Sequence, residues 1–176
     1  MTPKQGQRRK QTAKKRAMEP IHIRNAEPSD YKPIISVLND WWGGRNMRDM
    51  LPKLFFVHFR QTSFVAEASD RIVGFINGFV SQTYPGQAYI HFIGVHPEFR
   101  SQHVGRSLYE HFFSVVTSLD CKVVRCVTLP TNKHSVGFHL RMGFEVEPTE
   151  TNVDGLCVAR DYDGIGEDRV LFRKQL

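Results

Sequence analysis

Between Ala88 and Leu119 the chain passes from an apolar strand through one basic turn into an amphipathic helix, and this unit constrains the fold more than any other stretch. "AYIHFIGV" (88–95) is a strand-like apolar run. "HPEFRSQHVGRS" follows, with Pro97 as punctuation and Arg100, His103 and Arg106 crowded together. Val104, Leu108, Phe112 and Val115 then recur at helical spacing. A helix N-terminus presents unpaired N–H groups and the positive end of the dipole, so the turn suits an anion. Gly105 lets a ligand approach the backbone closely. Arg100 and Arg106 carry charge that can pair with phosphate, and a pyrophosphate is the natural guest. The turn has neither the G-x-x-x-x-G-K-[ST] of a P-loop nor the G-x-G-x-x-G of a dinucleotide site.

The rest of the chain supplies elements around that unit. Ile21 and Ile23 alternate with His22 and Arg24, a strand signal. Ser29 or Asp30 is placed to cap a helix that carries Tyr31, Ile34, Ile35, Leu38, Trp41 and Trp42 on one broad face and stops at Gly43-Gly44. Asp49 is expected to cap a second helix through "MLPKLFFVHF". Strands are expected over 63–68, 72–80 and 122–129, with Asp70-Arg71 in a hairpin turn and Pro85-Gly86 in the next. "NKHSVGFHLRM" reads as a short helix ended by Gly143. Two strands close the chain, near 156–162 and at 169–174.

The chain is long enough for one domain with a sizeable core. Its formal charge is +6, from 24 Lys and Arg against 18 acids. Seven of those bases and only one acid fall within residues 1–20, so the remainder is formally neutral. Residues 1–19 are therefore expected to be a solvated basic arm, with residues 20–176 as the folded domain. Contact with nucleic acid is open only through that arm, and Met18 is an alternative translation start. Three cysteines without a C-x-x-C pair suit a reducing, cytoplasmic setting better than a disulfide framework or a metal site. No apolar run reaches membrane-spanning length.

"GVHPEFRSQHVGRSL" resembles motif A of the GNAT N-acetyltransferases, V-x-P-x-x-R-G-x-G-x-G-x-x-L, with Val95, Pro97, Arg100, Val104, Gly105 and Leu108 in register. "NKHSVGFHLRMGF" is similar to the family's second motif, N-x-x-A-x-x-x-Y-x-x-x-G-F, through Asn132, Gly143 and Phe144. The resemblance implies an α/β GNAT acyl-CoA N-acyltransferase fold. That fold has a mixed, mostly antiparallel sheet of about six to seven strands, splayed between the fourth and fifth and flanked by about four helices.

It also implies acetyl-CoA as co-substrate, no metal, and an amine acceptor. Ile93 and Val95 would meet the pantetheine arm by strand addition. The loop of Arg100, Ser101, Gln102, His103, Val104, Gly105 and Arg106 would hold the pyrophosphate, with Asn132 and Ser135 beside the cofactor. Ser101 and His103 stand where the family often has Gly; a left-handed backbone at His103 would be mildly strained, though His tolerates it.

Acetyl transfer needs a neutral amine, donors for the oxyanion and a proton for the leaving thiolate. His139 occupies the position of the family's acid Tyr and is its candidate replacement; the bland alternative is a partly buried helix residue. By period two, Tyr89, His91, Ile93 and Val95 share one face of the strand, which puts His91 near the acyl group. The resemblance to arylalkylamine acetyltransferases with histidines on the equivalent strand makes His91 the candidate base, with a satisfied strand histidine as the bland alternative and Glu67 as the reserve. Trp41 and Arg45 in "DWWGGR" are candidate acceptor contacts, with Trp42 as core. The activity implied is transfer of acetyl from acetyl-CoA to a primary amine of a small molecule or peptide by direct attack. A non-catalytic acyl-CoA sensor and a nucleic-acid-associated acetyltransferase are the alternatives, and a homodimer stays open.

Overall fold

The computed structural model describes residues 20–176. The basic arm expected for residues 1–19 lies outside them. The chain runs β1 (His22–Asn25), α1 (Tyr31–Trp41), α2 (Leu54–Val57), β2 (Ser63–Ala68), β3 (Arg71–Val80) and β4 (Gln87–Val95). It continues through α3 (Val104–Ser118), β5 (Val123–Thr128), α4 (Lys133–Arg141), β6 (Glu145–Val146), β7 (Thr151–Val153), β8 (Leu156–Val158) and β9 (Val170–Gln175). Seven strands form one sheet in the order β1-β2-β3-β4-β5-β9-β6, and β7 and β8 form a separate hairpin. Among the described residues no helix is long and apolar enough to cross a membrane.

Alternation sends side chains to both faces of the sheet, and each face has its own core. On one, Phe64, Ile76 and Ile90 pack with Val104, Leu108, Tyr109, Phe112 and Val116 of α3. The buried α3 stripe thus ends on Val116, not the expected Val115. On the other face, Val65 and Phe75 pack with Ile34, Leu38 and Trp41 of α1 and with Phe55 and Phe56 of α2. Gly78 allows α3 its close approach. A Cβ there would lie 2.5 Å from both the Phe112 ring and the Tyr89 carbonyl.

Three local expectations change. The second helix shrinks to the single turn of α2, preceded by a 3-10 turn at Arg48–Met50 and followed by another at Arg60–Thr62. Pro52 is the cause: the residue before a proline avoids helical geometry, and Leu51 takes φ −125°, ψ 71°. Asp49 consequently caps nothing and accepts a long bond from Asn46 at 3.4 Å. Asp30 does precede α1, but its carboxylate turns away from the helix to Arg24 (2.7 and 2.9 Å) and the Glu27 N–H (2.8 Å). Burial alone would raise the Asp30 pKa, but these bonds outweigh it and hold the group below the usual carboxylate range. The C-terminal part contains the short strands β6 and β7 besides the two expected.

The junction of β4 and β5 sets up the site. The two strands are parallel and pair only at Gln87–Val123, Ala88–Val124 and Tyr89–Arg125. Beyond Tyr89, β4 pairs with β3 on one side only, while β5 continues against β9. The strands therefore splay, leaving the β4 edge from Ile90 to Val95 without a strand partner on its β5 side.

Candidate active site

A β-bulge lies at the vertex of this splay. On β3, Asn77 pairs with Phe92 and Gly78 with Ile90, so His91 is the extra residue. The bulge breaks the period-two count. Ile93 and Val95 pack on the α3 side of the sheet, whereas His91 stacks on Phe55 of α2, on the opposite side, at 4.7 Å and 15°. The expectation that His91 shares a face with Ile93 and Val95 is thus corrected. His91 Nε2 lies 3.0 Å from the Met50 carbonyl. A carbonyl only accepts, so Nε2 carries the proton and Nδ1 keeps its lone pair. Burial pushes the His91 pKa down, against the smaller opposing pull of the Met50 carbonyl. The ring is neutral at neutral pH, with no protein partner at Nδ1 among the described residues.

After Val95 the chain enters a 3-10 turn at Pro97–Phe99, whose N-cap His96 accepts the Glu98 N–H on Nδ1 at 3.2 Å. Ser101 (φ 63°) and His103 (φ 64°) are both left-handed, the conformation that glycine adopts without strain at such positions. Ser107 N–H closes the first α3 bond on the His103 carbonyl at 2.9 Å. The N–H groups ahead of it lack intrahelical acceptors. Gly105 lies beneath Phe138 and Val95; a Cβ there would meet them at 3.5 and 3.7 Å, so only a small side chain fits without displacement.

Arg100 has a different job from the one its charge suggests. Its Nε donates to the Val95 carbonyl at 3.2 Å, and its Nη2 donates a short bond to the Trp41 carbonyl. The guanidinium braces the turn against the end of α1. Among the described residues the Arg106 side chain has no hydrogen-bond or ion-pair partner.

His139 is buried at 5% exposure. Its Nδ1 lies 2.8 Å from the Ser135 carbonyl and must donate to it. Its Nε2 accepts from the Tyr109 hydroxyl at 2.8 Å, and the ring stacks on Phe172 at 4.8 Å. Burial lowers its pKa. A neutral ring with both nitrogens engaged in the core has no proton to offer a thiolate, so the geometry matches the bland alternative. Asn132 caps α4, its Oδ1 accepting the Ser135 N–H at 3.1 Å.

Trp41 and Trp42 exchange their expected places. Trp41 is 4% exposed, stacked on Phe75 and edge-on to His96. Trp42 is only partly buried and leans on Phe92, the residue after the bulge. Arg45 is exposed with no side-chain partner among the described residues. Glu67 is far from the splay in its contacts. It holds Arg24 at 2.6 Å and lines a cavity of about 590 Å³ with Asp30, Trp41, Arg71 and His96. None of those residues comes from β5 or α4.

Sequence reasoning missed Tyr89. It is the last β4 residue paired with β5 and so marks the vertex. Burial raises its pKa, helped by Tyr162, Cys126 and Asp163. Asp163 is held by Arg169 at 2.6 Å. No local pattern announces this cluster, because the 159–168 loop folds back from far along the chain.

The chain matches the family model described as the acetyltransferase (GNAT) family over residues 25–144. No curated protein matches it in sequence. Among solved structures, a putative GNAT acetyltransferase from Desulfovibrio desulfuricans superposes with a TM-score of 0.71 at 16% identity, covering 89% of this chain and 99% of that one. Diaminobutyrate acetyltransferase EctA from Paenibacillus lautus, solved with L-2,4-diaminobutyric acid and coenzyme A, gives 0.68 at 20% identity and covers 90% and 96%. Chaetomium thermophilum Naa20, solved with a bisubstrate analogue, gives 0.68 at 21% identity and covers 88% and 86%. With β4 splayed from β5, a bulge at the vertex and a turn of left-handed residues leading into α3, the chain has the sheet and the loop that its family match requires, and it belongs to the GNAT acetyltransferase family.

Proposed function

We propose that the protein transfers the acetyl group of acetyl-CoA to a primary amine of a small molecule or peptide by direct attack in a ternary complex. The observation that carries this reading is the unpartnered β4 edge, which runs from the bulge to the anion-suited turn at Ser101–Arg106. The pantetheine arm would add to that edge as a strand does, along Ile93 and Val95. The first-turn N–H groups of α3 would take the pyrophosphate, with Ser101, Gln102 and His103 shaping the backbone around it. Asn132 and Ser135, at the start of α4, would flank the cofactor.

In the transfer the amine nitrogen attacks the thioester carbon. The new C–N bond forms as the C–S bond breaks, and the thiolate leaves. N–H groups on the free β4 edge are suited to meet the developing oxyanion. His91 is the base: Nδ1 has its lone pair free, and the Met50 carbonyl fixes the tautomer as an orienting group does in a catalytic triad. His139 acts as a positioning residue of the core instead of an acid. Cys126 is fully buried with its pKa raised by burial and by Glu147, so it is no nucleophile. Trp42 and Arg45 flank the entrance on the α1 side.

The experiment is an acceptor screen with detection of free CoA, spanning amino acids, polyamines, arylalkylamines, aminoglycosides and peptides. Acetyl-CoA binding with no turnover across the screen would favour the non-catalytic sensor instead.

A further inference from the structure

Away from the splay, Arg106 of α3, Arg141 of α4 and Lys174 of β9 converge on one cleft of about 260 Å³, whose lining is completed by Glu110, Phe113 and Met142. Three cations from three separate elements meet there. Among the described residues none of them forms an ion pair, and neither does Glu110. Lys174 is held in place by other means. Its ammonium lies 5.4 Å from the centroid of the Phe113 ring. It also lies close over the end of α4, since a Cβ at Gly143 would lie 2.8 Å from Lys174 Nζ. Gly143, at φ 80°, follows α4. Arg141 folds back along its own helix, with Nη1 3.3 Å from a Cβ built at Gly137.

Counting Glu110, the cleft carries a formal charge of +2, which matches a dianion. Two guanidinium forks and one ammonium suit the tetrahedral oxygens of a phosphate monoester better than a flat carboxylate. Phe113 and Met142 give the cleft an apolar side, fitted to the organic part of such a ligand. Arg106 follows Gly105 directly, so the cleft adjoins the first turn of α3.

We propose that the Arg106–Arg141–Lys174 cleft is a phosphate-monoester site. Two sources share this chemistry: the ribose 3′-phosphate of the acyl-CoA, an assignment that rests on the cofactor reading above, and a separate phosphorylated small molecule.

Calorimetric titration of the full chain with CoA, dephospho-CoA and inorganic phosphate separates them. If the site takes the 3′-phosphate, CoA binds about tenfold or more tightly than dephospho-CoA. That preference disappears in Arg141→Gln/Lys174→Gln and survives in Arg173→Gln, whose side chain bonds Gln175 instead. Glu110→Gln, which removes the one carboxylate of the cleft, strengthens the preference, an effect that misfolding cannot imitate. If CoA and dephospho-CoA bind alike while inorganic phosphate binds the wild type and not the double variant, the cleft serves a separate phosphorylated ligand. If the two coenzymes bind alike and inorganic phosphate gives no variant-sensitive signal at millimolar concentration, the site is overturned. Failure of both coenzymes to bind would instead overturn the acyl-CoA reading, and the phosphate titration alone would then decide the cleft.

Discussion

The Tyr109 hydroxyl donates to Nε2 of His139 across 2.8 Å in the core, and the opposite nitrogen of that ring donates to the Ser135 carbonyl at the same distance. The Tyr109–His139 pair thus locks α3 to α4. Removing one partner leaves a buried polar group unpaired, so Tyr109→Phe and His139→Phe should each lower stability by about 1–3 kcal/mol. Turnover per folded molecule should stay near wild type. Urea unfolding beside steady-state kinetics checks this, and a large loss of kcat with unchanged stability would return His139 to the mechanism. The pH dependence has a fixed sign. The folded-state pKa of His139 is depressed, so its contribution is complete above the unfolded value of about 6.5 and is lost as pH falls through the folded pKa. His139→Phe should flatten the acid limb of the stability curve, leaving the contributions of His91 and His111, whose pKa values are also lowered by burial.

His91 differs from His139 in having one free nitrogen. His91→Ala should reduce kcat by about a hundredfold or more near neutral pH. The deficit should shrink as pH rises, because the acceptor amine then arrives already neutral. Phe55 loses its stacking partner in this variant, so His91→Gln serves as a second probe. A deficit that does not vary with pH in either variant would identify damage to the bulge, not loss of a base.

The three central strands are legible in the sequence to within a residue, because long apolar runs bounded by Asp-Arg and Pro-Gly turns leave little choice. The anion-suited turn is equally legible, and the positive φ of His103 matches its strained expectation. The bulge is not. A period-two count assumes an unbroken ladder, and whether β4 keeps one residue extra is decided by where β3 pairs with it. That single residue moves His91 to the opposite face. The helix expected over 50–59 shortens to 54–57, and its first turn is lost for a local reason, the Leu51-Pro52 step. Strands of two and three residues, such as β6 and β7, are too short for any periodicity to show. Trp41 and Trp42 are adjacent in sequence on one broad apolar face, so only packing against Phe75 or Phe92 distinguishes them.

That distinction is testable. Trp41→Ala should cost about 3–5 kcal/mol, as expected for a large buried aromatic, while the main-chain carbonyl that Arg100 binds is retained. Trp42→Ala should cost less and act mainly on the acceptor Michaelis constant, with acetyl-CoA affinity nearly unchanged. Arg45→Ala should behave like Trp42→Ala. Acceptor kinetics unchanged from wild type in both Trp42→Ala and Arg45→Ala would place the acceptor on the other side of the splay, beside Tyr162 and Asp163.

The turn of Ser101 and His103 offers the most direct test of the proposed link from backbone geometry to cofactor binding. Ser101 and His103 both hold left-handed φ values, which cost a residue with a side chain about 1–2 kcal/mol relative to the ordinary helical region. Glycine removes that strain but adds about 0.5–1 kcal/mol of chain entropy. His103→Gly and Ser101→Gly should therefore be neutral to mildly stabilising and should leave acetyl-CoA affinity intact, since the backbone N–H groups are unchanged. His103→Val should do the opposite. A β-branched side chain tolerates this region poorly, so the turn should relax, with a loss of about 1–3 kcal/mol in stability and weaker cofactor binding. Thermal shifts with and without acetyl-CoA, run on all three variants, measure both effects together. If His103→Val binds acetyl-CoA as tightly as His103→Gly, the left-handed geometry is incidental to the site, and the pyrophosphate is held by something other than this turn.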